Sequence, residues 1–331
     1  SQLEGSKAFM KNLCKENNIP TANFGIFENL DDVSIFINNS KIPIVVKADG
    51  LAAGKGVSIC QSKEEAKIKA KEIIEGKFKS SRKVILEEFI EGEELSYFSV
   101  VDKDTFCFFG SAQDHKRVGE GDTGPNTGGM GAYSPSNLLT KEIEEKIKRK
   151  IIEPTLTALK KMGHPYKGFL YTGLMIKENE PYLIEYNIRM GDPECQVLMM
   201  RLKTSLLEVI KSVINDSLKN LKVDWSKESG MTIVLCSKGY PGNYKKNIEI
   251  KNLDKININN KTQVFHAGTY KKNEKISSNG GRVLNVTCLE KNMLMAREKC
   301  LNNLKIIDWN DGFYRKDIGW RIINQNENNK R

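Results

Sequence analysis

Histidine is scarce in this chain. Only His115, His164 and His266 occur among 331 residues, scattered and without metal-ligand spacing, so a zinc site is set aside. Cysteine is sparse too. Seven residues, an odd number with no Cys-x-x-Cys pair, exclude a small disulfide scaffold and point to reduced thiols in a cytoplasmic protein. None has a histidine nearby in sequence, so each reads as core or surface rather than as a nucleophile. No run approaches the roughly 20 apolar residues of a membrane helix, and no signal-peptide pattern opens the chain. No membrane partner is expected. What is present is 39% hydrophobic and 28% charged residues, which excludes collagen-like, mucin-like and wholly disordered chains. The length suggests about two domains at roughly 150 residues each.

The formal net charge is +10. A polyanion such as nucleic acid would explain it, but the charge is not clustered. Lys63–Lys79 and Lys141–Lys161 mix Lys with Glu at helical spacing, so the charge reads as solvated faces and no nucleic-acid partner is expected. The excess of cations suits an enzyme that handles phosphorylated substrates.

The pattern predicts an α/β (α+β) chain. A helix over Gly5–Asn17 precedes a β-like run Phe24–Phe27, a helix Leu30–Asn38, strands Pro43–Ala48 and Val57–Gln61, a helix Lys63–Ile74 and a strand Val84–Phe89. This βαββαβ unit reads as a small lobe. Two β-rich runs follow, Leu95–Val101 and Thr105–Gln113. Next comes a loop, His115–Asn137, whose length without secondary structure marks it as functional. A helix Lys141–Met162 is expected to kink at Pro154. Gly168–Ile176 and Tyr182–Tyr186 read as a hairpin, and Glu194–Ile214 as one helix. Lys219–Ser229 is linker-like. Gly230–Ile323 reads as mostly β with a helix near Asn292–Leu304.

Four motifs carry chemistry. Lys47-Ala48-Asp49-Gly50-Leu51-Ala52-Ala53-Gly54-Lys55-Gly56 places glycines, which let backbone N–H groups approach phosphate, between two lysines. It is not a P-loop: the Gly50–Gly54 interval is one residue short, and Gly56 stands where Ser or Thr is needed. Ile59 at the third glycine position excludes a dinucleotide fingerprint. A flap over a triphosphate and a plain turn both remain. Val84–Phe89 runs into the carboxylates Glu87, Glu88, Glu91, Glu93 and Glu94, which suits an adenine edge and ribose hydroxyls, or a solvated acidic turn. Asp114-His115-Lys116-Arg117, followed by the Gly-rich Thr123–Gly131, offers donors to an anion. A hydrogen-bonded structural role for His115 is the alternative. Finally, Glu185 and Asn187 share a strand face, two oxygen ligands suited to Mg²⁺, and Arg189 joins them there if the strand persists, as a cation for a γ-phosphate.

Together these motifs, with Gly191-Asp192-Pro193-Glu194, Asn279-Gly280-Gly281-Arg282-Val283 and Arg315–Arg321, resemble the phosphoribosylamine–glycine ligase (glycinamide ribonucleotide synthetase) family of the ATP-grasp superfamily. The resemblance covers essentially the whole chain. It implies an ATP-grasp fold: a central lobe over residues 1–23 and 93–218, a lid lobe over 24–92, a linker over 219–229 and a smaller mostly β C-terminal domain over 230–331. It implies a monomeric, cytoplasmic ligase of de novo purine biosynthesis. Its substrates are ATP, glycine and 5-phosphoribosylamine, its metal is Mg²⁺ or Mn²⁺, and it forms glycyl phosphate on the way to glycinamide ribonucleotide. Matched residue by residue, Lys47, Gly54, Lys55, Gly56, Glu87, Glu88, Phe89 and Glu94 would bind ATP. Glu185 and Asn187 would hold the metal. Arg189, His115, Lys116 and Arg117 would serve catalysis. Asp114, Thr123, Asn126, Gly128, Gly129, Asp192, Glu194, Gly280, Gly281 and Arg282 would bind the other substrates.

Two departures stand out. Met190 replaces the family's Phe in Arg-Phe-Gly-Asp-Pro-Glu, and Tyr171–Met175 lacks the second carboxylate of many ATP-grasp enzymes. The segment Ser1–Lys7 matches one that follows a whole N-terminal α/β domain in this family. The expectation is that this domain is absent here, and that residues 1–331 bind Mg·ATP but make product poorly. A biotin-dependent carboxylase subunit and a non-catalytic nucleotide- or nucleic-acid-binding protein are the rival readings.

Overall fold

The structure, a computed structural model, describes residues 1–50, 56–78, 81–103 and 105–328. The chain forms two compact units, residues 1–107 with 138–189, and residues 108–137 with 190–331.

In the first unit, helix Lys7–Glu16 begins at Ser6, whose Oγ accepts from Phe9 N at 3.0 Å. That cap satisfies one of the orphan donors of a first turn. The Asp49 carboxylate accepts from Ala8 N at 3.1 Å, so the turn after strand Ile44–Ala48 is tied to the same helix end. The expected βαββαβ order is present. Strands Phe24–Phe27, Val84–Glu88, Ile44–Ala48 and Val57–Cys60 lie side by side in that order, all antiparallel. Helices Leu30–Asn39 and Lys63–Ile74 bury Val33, Ile37, Ala66, Ala70 and Ile73 against Ile44, Val46, Val84 and Leu86. Because side chains alternate along a strand, Lys47 and Glu87 share the opposite face.

A second antiparallel set joins Glu180–Asn187, Gly168–Lys177 and Glu93–Val101. The hairpin turn is only Glu178-Asn179, both at positive φ (51° and 60°), the backbone of a tight two-residue connection. The expected kink at Pro154 takes a definite form. Helix Lys141–Ile147 widens into a π-helical stretch, Lys148–Ile152, before Glu153–Lys161 begins with Pro154 in its first turn, where a missing N–H costs little.

The chain enters the second unit within strand Phe106–Asp114. Gly131–Ser134 pairs with that strand and with Ser229–Ser237, which in turn pairs with Arg282–Glu290 and Gly312–Phe313. Thr262–His266 adds to the other edge of Arg282–Glu290. Asn292 caps helix Met293–Leu304, which buries Met293, Ala296, Cys300 and Leu304 in this unit's core.

Three expectations need correction. The His115–Asn137 segment is not structureless: it holds a hairpin of Arg117–Gly119 with Thr123–Asn126, and then strand Gly131–Ser134. Helix Glu194–Ile214 is two helices, Glu194–Arg201 and Leu206–Ile214. Leu202 turns extended and bridges Trp225, and Lys203 N donates to the Asp224 carbonyl, so a neighbouring segment takes over the backbone donors. A further helix, Trp320–Asn328, follows the C-terminal strands. No helix among the described residues is long and apolar enough to cross a membrane.

Candidate active site

The first unit gathers the residues expected to handle a nucleotide. Lys47 stands near the end of strand Ile44–Ala48, and its Nζ lies 2.8 Å from Glu87 Oε1. On the other carboxylate oxygen of Glu87 sits Lys11 Nζ, at 3.0 Å. All three side chains are buried, two cations around one anion. Lys11 also donates to Thr21 Oγ1 at 2.7 Å, and Thr21 donates to the Leu183 carbonyl. Burial alone would push the Glu87 carboxyl up, but the two ammonium groups outweigh it and hold it below the usual carboxylate range. The Glu87 carboxylate is thus committed to lysines, and its reach toward a nucleotide runs through Lys47.

Lys7 was not reached by sequence reasoning. Its Nζ donates to the Gly50 carbonyl at 2.8 Å, on the glycine turn. Burial pulls its pKa down, and Glu185, Lys47, Asp49 and Glu87 all act on its charge. One ammonium therefore lies within electrostatic range of both the Lys47 turn and the Glu185 strand. The signal available was Ser6-Lys7, a cap followed at once by a cation that a helix N-terminus does not favour.

Along strand Glu180–Asn187, Glu185 is half-buried opposite Gly173, and Asn187 is buried opposite Tyr171. Gly173 leaves room there, since a Cβ on it would come within 3.2 Å of Glu185 Cγ. Arg189 Nη2 donates to Asn187 Oδ1 at 3.2 Å. Glu4, also unanticipated, accepts from Arg189 Nε and from Ile188 N, each at 3.0 Å. Glu185, Asn187 and Arg189 thus stand together. Glu88 is exposed at the end of its strand, Phe89 and Glu94 are half-buried, and Gly56 pairs back to Ala48 through its carbonyl. Gly54 and Lys55 lie outside the described residues.

The second unit gathers the other set. His115 is 2% exposed. Its Nε2 accepts from Gly319 N at 2.9 Å, so Nδ1 carries the proton and faces Asp122 Oδ1 at 3.4 Å. Burial holds its pKa below the ordinary value, and the imidazole is neutral near pH 7. Arg315, 1% exposed, donates to Asp122 at 2.8 Å and forks onto both oxygens of Asp317 at 2.8 and 2.7 Å. Trp320 Nε1 and Arg321 also bind Asp122. Both ring nitrogens of His115 are engaged, so the geometry favours its structural reading. Arg117 donates to the Gly124 carbonyl within the small hairpin, of which Thr123 and Asn126 are part. Lys116 and Asp114 are half-buried, and the Lys116 carbonyl accepts from Thr127 Oγ1.

A second cluster joins the distant glycine motifs. Arg282 Nη1 donates to the Gly128 and Asp192 carbonyls, and Nη2 donates to Asp192 Oδ2 at 2.7 Å. Gly128 N donates to Tyr240 Oη at 2.9 Å. Gly281 lies against the Tyr240 ring, which a Cβ there would strike, and Gly280 packs on Gly268. Glu194 is buried under Gly191. Thus Gly128, Gly129, Asp192, Gly280, Gly281 and Arg282 come together. Tyr240, in Gly239-Tyr240-Pro241-Gly242, was missed. Nearby, a cavity of about 460 Å³ is lined by Val118–Glu120, Lys238–Tyr240 and Phe313–Arg315.

The fold is that of an ATP-grasp protein. The sequence model of the phosphoribosylglycinamide synthetase ATP-grasp (A) domain matches residues 5–195, and that of the C domain matches residues 230–321. The phosphoribosylamine–glycine ligase of Brucella melitensis is 46% identical over 331 residues, all of this chain and 78% of the relative. The crystal structure of phosphoribosylamine–glycine ligase from Thermotoga maritima superposes with a TM-score of 0.88 at 34% identity, over 96% of this chain and 79% of that one. The biotin carboxylase domain of Hydrogenobacter thermophilus 2-oxoglutarate carboxylase, in complex with MgADP, shares the fold at a TM-score of 0.71 and 17% identity, over 94% of this chain and 68% of that one. This chain belongs to the phosphoribosylglycinamide synthetase family.

Proposed function

We propose that this chain joins glycine to 5-phosphoribosylamine at the expense of ATP, giving glycinamide ribonucleotide, ADP and phosphate in purine biosynthesis. The single observation that supports it most is the gathering of Lys7, Lys47, Glu87 and Glu185 within one compact unit of a member of this family. A glycine carboxylate oxygen attacks the γ-phosphorus and ADP leaves. The amine nitrogen then attacks the acyl carbon of glycyl phosphate, phosphate leaves, and the nitrogen gives up a proton. Such a reaction is carried mainly by positioning and by cations matched to developing charge.

The proposed roles extend the family match to the residues of this chain. Lys47, held in place by Glu87, and Lys7 contact the phosphates; Gly54, Lys55 and Gly56 are assigned to them by the family match alone. Glu88, Phe89 and Glu94 take the adenine and ribose. Glu185 and Asn187 fit a hard cation. They present a carboxylate and an amide oxygen on one strand face, the amide oxygen having a second lone pair beside the one that meets Arg189 Nη2. Bound with ATP, Mg²⁺ would neutralise phosphate charge. Arg189 contacts the γ-phosphoryl group. In the second unit, Asp114, Lys116, Arg117, Thr123, Asn126, Gly128, Gly129, Asp192, Glu194, Gly280, Gly281 and Arg282 serve the glycine and ribosylamine, while His115 faces the Asp122–Arg315 pair. The lid, central-lobe and C-terminal-domain division, a monomeric state and a cytoplasmic location belong to the same proposal. The test is ADP release with and without glycine and freshly made phosphoribosylamine. Turnover that needs both supports the reading, and turnover driven by bicarbonate with none on glycine overturns it.

A further inference from the structure

Arg189 is the most exposed member of the Glu185–Asn187–Arg189 set, with 57% of its side chain in solvent. An arginine in that setting samples many rotamers unless something holds it. One group that holds it is Glu4, in the short helix Gln2–Gly5, nearly the whole first unit away in sequence. The contact differs from a casual surface ion pair. One carboxylate oxygen accepts from the backbone N–H of Ile188 and the other from Nε of Arg189, each at 3.0 Å. The carboxylate is thus anchored to the backbone one residue past the end of strand Glu180–Asn187, and is only 16% exposed. Gripped at Nε, the guanidinium is laid across Asn187, whose Oδ1 accepts from Nη2 at 3.2 Å. Residues 187, 188 and 189 are thereby fixed as one rigid group. Groups that meet a transferring phosphoryl group gain most when they are oriented beforehand.

We propose that Glu4 is a positioning residue, whose carboxylate presets the Arg189 guanidinium for the γ-phosphoryl group of ATP. This rests on the reading of Arg189 given above. The consequence is selective: loss of Glu4 weakens recognition of a γ-phosphate and leaves the rest of the nucleotide bound as before.

The test uses the whole chain with Mg²⁺ and calorimetric titration of two nucleotides, ADP and the non-hydrolysable analogue AMP-PNP. The readout is the ratio of the two dissociation constants. Glu4→Ala is expected to lower the preference for AMP-PNP about fivefold or more while ADP affinity stays within about twofold. Glu4→Gln, which keeps one acceptor, should fall between Glu4→Ala and the parent. In an Arg189→Ala background, Glu4→Ala should cause no further change, because the residue it acts through is gone. A Glu4→Ala variant that weakens both nucleotides equally, or loses only thermal stability, overturns the proposal. So does a ratio that falls by the same factor in both backgrounds. If Glu4→Ala does not fold, Glu4→Gln carries the same comparison. Arg189→Ala separates the two levels. If it leaves the ratio unchanged, the γ-phosphoryl role of Arg189 is wrong and the Glu4 proposal falls with it. If it abolishes the preference while Glu4→Ala and Glu4→Gln retain it, only the Glu4 proposal is wrong.

Discussion

Arg282 is joined to Asp192 through both ends of its guanidinium, Nη2 on Oδ2 at 2.7 Å and Nη1 on the Asp192 carbonyl at 2.9 Å. The Nη1 end also bonds the Gly128 carbonyl, so one side chain joins segments 154 and 90 residues away. Asp192 is about half-exposed, and an ion pair in such a setting adds only about 1 kcal/mol or less. Its value lies in shape: two backbone carbonyls and a carboxylate are held in one arrangement.

Arg282→Ala is therefore expected to separate function from stability. The melting temperature should change little, while the Michaelis constant for glycine or phosphoribosylamine rises at least about tenfold, the scale of a lost charge-assisted contact. Steady-state kinetics beside a thermal melt checks this. A large fall in melting temperature with unchanged kinetics would assign Arg282 to structure alone.

The Lys11–Glu87–Lys47 cluster predicts the reverse order of costs. All three side chains are at most 7% exposed. Glu87→Gln leaves two buried ammonium groups without an anion and should cost about 3 kcal/mol or more. Lys11→Met leaves Glu87 with Lys47 and replaces the stem with an apolar one, so its loss should be clearly smaller. Urea unfolding of the two variants gives the comparison. Glu87→Gln should also weaken ATP binding, because Lys47 loses the anion that fixes it, whereas Lys11→Met should weaken it less.

Much of this was legible in the sequence, and the reason is periodicity. The order from Phe24 to Glu88 follows from the spacing of apolar positions, and helix Lys63–Ile74 falls where that spacing places it. The pairing of Glu185 with Asn187 follows from strand geometry, but the strand ends at Asn187, and Arg189 is brought to Asn187 by a bend and its own hydrogen bond instead. What could not be read was pairing across long separations. Nothing local marks Glu4 as the partner of Arg189, Lys11 as that of Glu87, or Arg315 as that of Asp122. The hairpin at Arg117–Gly119 was hidden because Thr123-Gly124-Pro125-Asn126 lacks β-branched and aromatic residues beyond one threonine. The break after Arg201 was hidden because the residues that stabilise it, Asp224 and Trp225, lie elsewhere in the chain.

The buried imidazole of His115 sets a pH dependence. Its folded pKa is held below the ordinary value near 6.5, chiefly by burial, with Asp122 opposing. A depressed pKa means the contribution is complete above about 6.5 and is lost as pH falls through the folded value. Asp122 and Asp317, both held low against burial by their cationic partners, and Glu87 lose theirs only below the ordinary carboxylate range near 4. Stability should therefore fall between about pH 7 and pH 5, before any of these carboxylates is protonated. His115→Gln keeps an acceptor for Gly319 N and a donor for Asp122 but does not titrate. It should be less stable at pH 7 and show a flatter profile to pH 5. Urea midpoints at several pH values decide it, and an unchanged slope would remove His115 as the source.

Gly129 offers the most stringent check on the glycine motif. Its φ is +111°, a backbone that side chains rarely adopt, and a Cβ there would stand 2.5 Å from Pro193 Cδ, a ring atom that cannot swing aside. Gly121, in the same segment, has φ +66° and open space around it. Gly121→Ala should therefore show only the ordinary left-handed penalty, about 1–2 kcal/mol. Gly129→Ala adds a steric clash to a less accessible backbone, so its cost should exceed that of Gly121→Ala. It should also push Asp192-Pro193 away from Gly128 and disturb the Arg282 contacts, raising the Michaelis constants as Arg282→Ala does. In the double variant Gly129→Ala/Arg282→Ala the kinetic effects should not multiply, since both act on one arrangement. Fully multiplicative effects would show that the glycine and the arginine serve separate features of the site.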